Sequence, residues 1–160
     1  MTRIPYDNGK AITYAKKYCG AQDNSCGVFL NEKGRTDCAH FIAHCLAAGG
    51  LLVNNDDLGT EFCKHGLAVR NTTLVAQLDA WSAKYENIRK ISLSDAIVGD
   101  VGFLRIERPR HAFMVCEVWN QFSSPFGAPK VWAHSTARCC EEMDTDFLQW
   151  FATAYRLEDG

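Results

Sequence analysis

The chain has 160 residues, a formal net charge of −2, 47% hydrophobic residues and 22% charged residues. This composition predicts one globular domain over residues 1–160 and excludes long disordered tracts. The slightly acidic balance excludes a basic field for nucleic acid. No apolar run approaches the ~20 residues that span a bilayer, so no membrane partner is expected.

The first eight residues, Met1 to Asn8, lack the apolar run of a signal peptide, so synthesis in the cytoplasm is expected. Reduced thiols are then the default for the eight cysteines. Cys45 and Cys116 fall in apolar patterns and read as small buried hydrophobes. Cys19 with Cys26, or Cys139 with Cys140, are the pairs open to disulfide formation after export. No Cys-x-x-Cys pair occurs, and neither a metal nor another cofactor is expected.

Asn8 to Tyr18 reads as a helix with Ile12, Ala15 and Tyr18 on one face and Asp7 or Asn8 as cap. Gly20 to Gly34 reads as loop. A second helix begins at Cys38, with Thr36 or Asp37 as cap. Cys38, Phe41, Ile42, Cys45 and Leu46 form its apolar stripe, and Gly49-Gly50 ends it. Leu51 to Arg70 reads mostly as loop. Asn71-Thr72-Thr73 caps a third helix with Leu74, Val75, Leu78 and Trp81 inward. Ile91 to Ala96 reads as a turn or extended entry. Strands follow at Asp100 to Ile106, His111 to Trp119 and Lys130 to Ser135, with a turn at Arg108-Pro109-Arg110. Asp146 to Ala154 reads as a last strand or short helix. Helices first and a mostly antiparallel sheet after them make the fold class α+β.

A nucleophilic cysteine must ionise readily, and the free N–H groups of a helix's first turn favour a thiolate. Cys38 is the one cysteine placed at such a start; Cys45 lies two turns inside. His111 opens a strand after a turn, where a side chain can project into a cleft and act as base. His134 lies near the end of the following strand. Antiparallel pairing of the two strands would make the histidines neighbours, the second orienting the first. His40 and His44 share a helix face but lack the Glu of a zinc-protease helix, so the polar face of the helix is their expected place.

The ordered segments resemble NlpC-like and related amidase families. They are Thr36-Asp37-Cys38-Ala39-His40-Phe41-Ile42, Gly99-Asp100-Val101-Gly102-Phe103, His111-Ala112-Phe113-Met114-Val115 and Trp132-Ala133-His134-Ser135-Thr136. The resemblance implies a papain-like fold and a Cys-His-His triad of Cys38, His111 and His134. It further implies amide hydrolysis, usually in peptidoglycan peptides. Asp37 would support the helix start and, as in some members, help hold the substrate's free amine. Ala39 replaces the Ser that members gripping a free amino terminus tend to carry, and Val98 replaces the Pro usual before Gly-Asp. Small amidases of this kind also resemble toxins injected into rival bacteria, which implies export to a periplasm or cell wall and an immunity or inhibitor protein as partner. The alternatives are an acyltransferase or protein deamidase on the same scaffold, a non-catalytic binding domain, and a zinc-binding structural protein.

Overall fold

The computed structural model describes residues 2–21, 38–55, 60–61, 69–105, 109–118, 129–134, 138–142 and 152–160. Helix α1 spans Asn8–Tyr18, with Asp7 as its cap: the Asp7 Oδ1 accepts the Lys10 N–H at 3.0 Å. Its buried residues are Ala11 and Ala15, while Ile12 and Tyr18 are only partly covered. Small residues on this face let α1 lie close against α2, which spans Cys38–Ala48.

Helix α2 is buried on every side from Cys38 to Leu46. A helix apolar all round belongs in the interior, and α2 indeed touches α1, α3, β5 and β6. It stops as its two glycines require. The Gly50 N–H reaches Ala47 O and the Leu51 N–H reaches Leu46 O, both at 2.9 Å. These are the paired bonds of a Schellman motif, and they need the left-handed φ of 102° that Gly50 adopts.

The expected loop after α2 holds a two-strand ribbon, β1 (Asn54–Asn55) with β2 (Thr60–Glu61). Helix α3 runs Asn71–Lys84 and buries Leu74, Val75, Leu78 and Trp81, as its periodicity predicts. Strand β3 (Ile88–Ile91), which the sequence did not predict, precedes a 3₁₀ turn (Leu93–Asp95) in the stretch where a turn or extended entry was expected. Then come β4 (Val101–Arg105), β5 (Pro109–Glu117), β6 (Lys130–Ala133), β7 (Arg138–Glu142) and β8 (Ala152–Leu157). Pro109 and Arg110, expected in a turn, belong to β5. The six longer strands form one antiparallel sheet in the order β3-β8-β4-β5-β6-β7. The fold is α+β.

Alternation along the strands sends Val101, Phe103, Ala112, Met114, Trp132, Tyr155 and Leu157 to the face that α1, α2 and α3 cover. Phe113, Val115, Val131, Ala133 and Ala154 point the other way and pack with Leu93 and Ala96.

The cysteines depart from the sequence expectation. Cys19 at the end of α1 is bonded to Cys139, and Cys116 on β5 is bonded to Cys140. Neither Cys19–Cys26 nor Cys139–Cys140 forms, and Cys116 is a cross-link instead of a buried hydrophobe. Cys139 faces Trp132 across the β6–β7 pair, and the register slips next to it. Cys140 is the extra residue of that bulge, with φ 62°. The two neighbours therefore reach different elements, one on α1 and one on β5.

Candidate active site

Cys38 is the first residue of α2 and is 3% exposed. Its sulfur meets groups from two other elements. The His111 imidazole and the Ala112 N–H of β5 hydrogen-bond to it. The Asn71 carboxamide of α3 lies alongside, with Nδ2 at 3.5 Å and Oδ1 at 3.7 Å from Sγ. Burial pushes the Cys38 thiol up. The His111 hydrogen bond, the Ala112 N–H, the His111 charge and the Asn71 amide together outweigh it and bring the thiol from 9.0 down to about 7. The sequence argument credited the helix start; the named groups that lower the thiol come from β5 and α3.

His111 is half-buried on β5 and paired with Leu104 of β4. The next pair is Arg105 with Pro109, so one residue of β5, Arg110, is left over between them. A bulge of this kind twists a strand end and re-aims its side chains. It sits directly before the residue that reaches Cys38.

His134 is buried just past β6. The Met114–Trp132 pairing, carried two residues along each strand, sets it beside Ala112, the neighbour of His111. Its ring lies flat on Phe41 of α2, with centroids 3.9 Å apart and planes at 10°. Its Nε2 donates to Tyr18 O at 2.5 Å, which fixes the ring at the end of α1. Asp37 lies outside the described residues.

Gly99-Asp100 serves a structural end. Gly99 has φ 93°, and a Cβ there would lie 2.5 Å from Asn8 Oδ1. The Asp100 carboxylate is 2% exposed, accepts the Ile97 N–H at 2.8 Å, and pairs with Arg156 Nη2 of β8 at 3.0 Å. Burial raises the Asp100 carboxyl against the pull of Arg156.

His40 and His44 are not on a polar face; both are buried. The Val69 N–H donates to His40 Nδ1 at 3.4 Å, which leaves the His40 proton on Nε2. That nitrogen faces His44 Nε2 at 3.1 Å, and Tyr14 stacks on the His44 ring at 6.0 Å. Among the described residues no group of three or more His, Cys, Asp or Glu is placed to hold a metal ion. Among them, too, no helix is long and apolar enough to cross a membrane.

Asn71 is the site residue that the sequence reading missed. It reads as a helix cap, and caps are what Asn at a helix start usually provides. In the structure the cap position is Arg70, with no side-chain cap bond, and the Asn71 side chain turns to Cys38. Its sequence context, Asn71-Thr72-Thr73 before an apolar period, signals a cap and nothing more.

Residues 5–96 match the family model described as "Putative amidase domain". The match takes in Cys38 and Asn71, while His111 and His134 lie beyond it. No curated protein and no solved structure matches the chain. The family model covers more than half of the 160 residues and includes the cysteine that heads α2, so the chain belongs to the amidase-domain family.

Proposed function

We propose that the protein is a cysteine amidase of papain-like type that hydrolyses peptide amide bonds, with bacterial peptidoglycan peptides as substrate. The observation that carries this reading is the contact between Cys38, at the head of α2, and His111 on β5, with a thiol brought down to about 7. Near neutral pH a substantial share of such a thiol is thiolate, and the proton it gives up for attack passes to the His111 imidazole.

The thiolate attacks the amide carbon, forming the S–C bond as the carbonyl electrons move to oxygen. Free N–H groups of the first turn of α2 are suited to hold that oxygen. The His111 imidazolium then gives its proton to the departing nitrogen, the C–N bond breaks and a thioester is left. Water attacks the thioester with His111 as base, releasing the acid and the thiol. His134 acts as the third group that orients the imidazole, in keeping with its fixed place beside Ala112. Asp37, next to the nucleophile in sequence, is assigned to hold the substrate's free amine.

The wall-peptide substrate rests on the likeness of the segments around Cys38, Gly99, His111 and His134 to wall amidases. The two disulfides among the described residues favour action in an oxidising compartment, such as a periplasm reached by export or injection. A protein delivered in that way calls for an immunity or inhibitor partner in its producer.

Mass analysis of purified peptidoglycan fragments after incubation tests the reading. Wild type should split a peptide bond with gain of water, and Cys38→Ala should leave the fragments intact. Equal cleavage by both would overturn it, and transfer of the acyl group to an added amine would mark an acyltransferase instead.

A further inference from the structure

We propose that Asn71 is a second catalytic group, whose carboxamide N–H follows the negative charge from the Cys38 sulfur to the substrate's carbonyl oxygen. The proposal rests on Cys38 being the nucleophile and adds the donor that stabilises the tetrahedral intermediate.

Three observations lead to it. The Asn71 amide faces Sγ with both of its polar atoms, Nδ2 at 3.5 Å and Oδ1 at 3.7 Å. It can therefore accept from the thiol and donate to the thiolate, serving both states of the nucleophile. Sulfur is a weaker acceptor than an oxyanion, so the N–H gains when it passes from one to the other. Asn71 is also only half-buried, at the first residue of α3, whereas Cys38 is almost fully buried. The amide thus borders the side from which a substrate can approach.

The electron flow requires such a group. As the S–C bond forms, charge leaves sulfur and collects on an oxygen two bonds away. A donor already resting on sulfur needs only a small rotation to meet it, and donors aimed at developing charge contribute more than those aimed at the ground state. When the C–N bond breaks, the electrons return to re-form the carbonyl and the N–H is released. No proton leaves Asn71 at any stage, so His111 remains the sole carrier of protons.

Two reagents separate this role from a structural one without knowledge of the substrate. p-Nitrophenyl acetate acylates Cys38 through an oxyanion; iodoacetamide alkylates it by direct displacement with none. Each rate is taken at the pH where it levels off, so that the thiolate fraction does not enter. Asn71→Ala should slow acylation roughly 100-fold while alkylation stays within about threefold of wild type. Asn71→Asp keeps the shape, removes the donors, and carries the test should the alanine variant lose its fold; it should behave alike. Acylation within about threefold of wild type, or a parallel fall of both rates, would overturn the assignment. If neither reagent reacts at Cys38 beyond the Cys38→Ala background, the nucleophile itself is lost and the proposal goes with it. A failure of Asn71 alone leaves Cys38 labelled at the wild-type alkylation rate.

Discussion

The carbonyl of Tyr18 accepts the Nε2 proton of His134 at 2.5 Å, and the residue after Tyr18 is bonded through sulfur to β7. The end of α1 is thereby tied to the sheet at two adjacent points, one a hydrogen bond to a proposed triad member and one a disulfide. Cross-linking and site geometry are joined in this corner of the fold. Loosening the end of α1 should be felt at His134.

The disulfides should contribute unequally. Cys19–Cys139 closes a separation of 120 residues and Cys116–Cys140 one of 24. Chain-entropy reasoning gives ~4–5 kcal/mol for the longer loop and ~3 kcal/mol for the shorter. In urea unfolding, Cys19→Ser/Cys139→Ser should lose more stability than Cys116→Ser/Cys140→Ser, and reductant should lower wild type by at least as much as either. Turnover should fall in the first variant before it unfolds, because His134 loses a fixed acceptor. Equal losses in the two variants would contradict this account.

Cys38 should be the more reactive of the two described free thiols. Iodoacetamide labelling followed by peptide mapping should show its rate rising with pH and half-complete near pH 7. Cys45, whose thiol burial pushes up, should stay unlabelled. His111→Ala should move the Cys38 midpoint upward, since the hydrogen bond and charge that oppose burial are gone. The same shift has a stability signature. Between about pH 7 and 9 the folded thiol is ionised while the unfolded one still holds its proton, so the unfolded state binds more protons. Stability should rise with pH across that window and fall as pH drops through 7. Cys38→Ser should lack that component of the slope.

The two histidines should separate by function. His111→Ala should lower turnover of peptidoglycan fragments by about 10²- to 10⁴-fold, as loss of a proton carrier does, with little change in melting temperature. His134→Ala should lower turnover less. It should also destabilise the fold by ~1–3 kcal/mol, because it removes a buried ring stacked on Phe41 and leaves the Tyr18 carbonyl with the Ala21 N–H alone. A melting temperature unchanged in His134→Ala would count against its structural anchoring.

Arg156→Ala should expose the dependence of the sheet on Asp100. The buried carboxylate would keep its Ile97 N–H but lose its cation. Breaking one partner of a buried pair costs about 3 kcal/mol or more at neutral pH. The loss should shrink as pH falls and Asp100 takes up a proton, since a neutral carboxyl needs no counter-charge. Denaturant unfolding at neutral and acid pH, with wild type alongside, checks both the size and the sign.

Local order was legible from one-dimensional spacing. The bounds of α1, the start of α2 at Cys38, the double-glycine stop and the inward face of α3 all follow from periodicity and capping chemistry. Strands β4, β5 and β6 were read to within a few residues for the same reason. Strands β3 and β7 were not. Ile88–Ile91 is short, and Arg138–Glu142 is polar and charged at a sheet edge with no fully buried residue, which leaves no apolar alternation to detect.

The site divides along the same line. The sequence by itself determined that Cys38 would head a helix, that His111 would lie on a strand and that His134 would fall at the end of the next one, because backbone hydrogen bonding and side-chain period are local. Only the tertiary structure decided which groups touch the sulfur. Asn71 and Cys38 are 33 positions apart and Cys19 and Cys139 are 120 apart, yet each pair is in contact. The burial of His40 and His44, expected on a polar face, was decided in the same way, by helices and sheet closing around α2. Such contacts depend on how elements pack, and many partners satisfy the same local pattern until packing selects one.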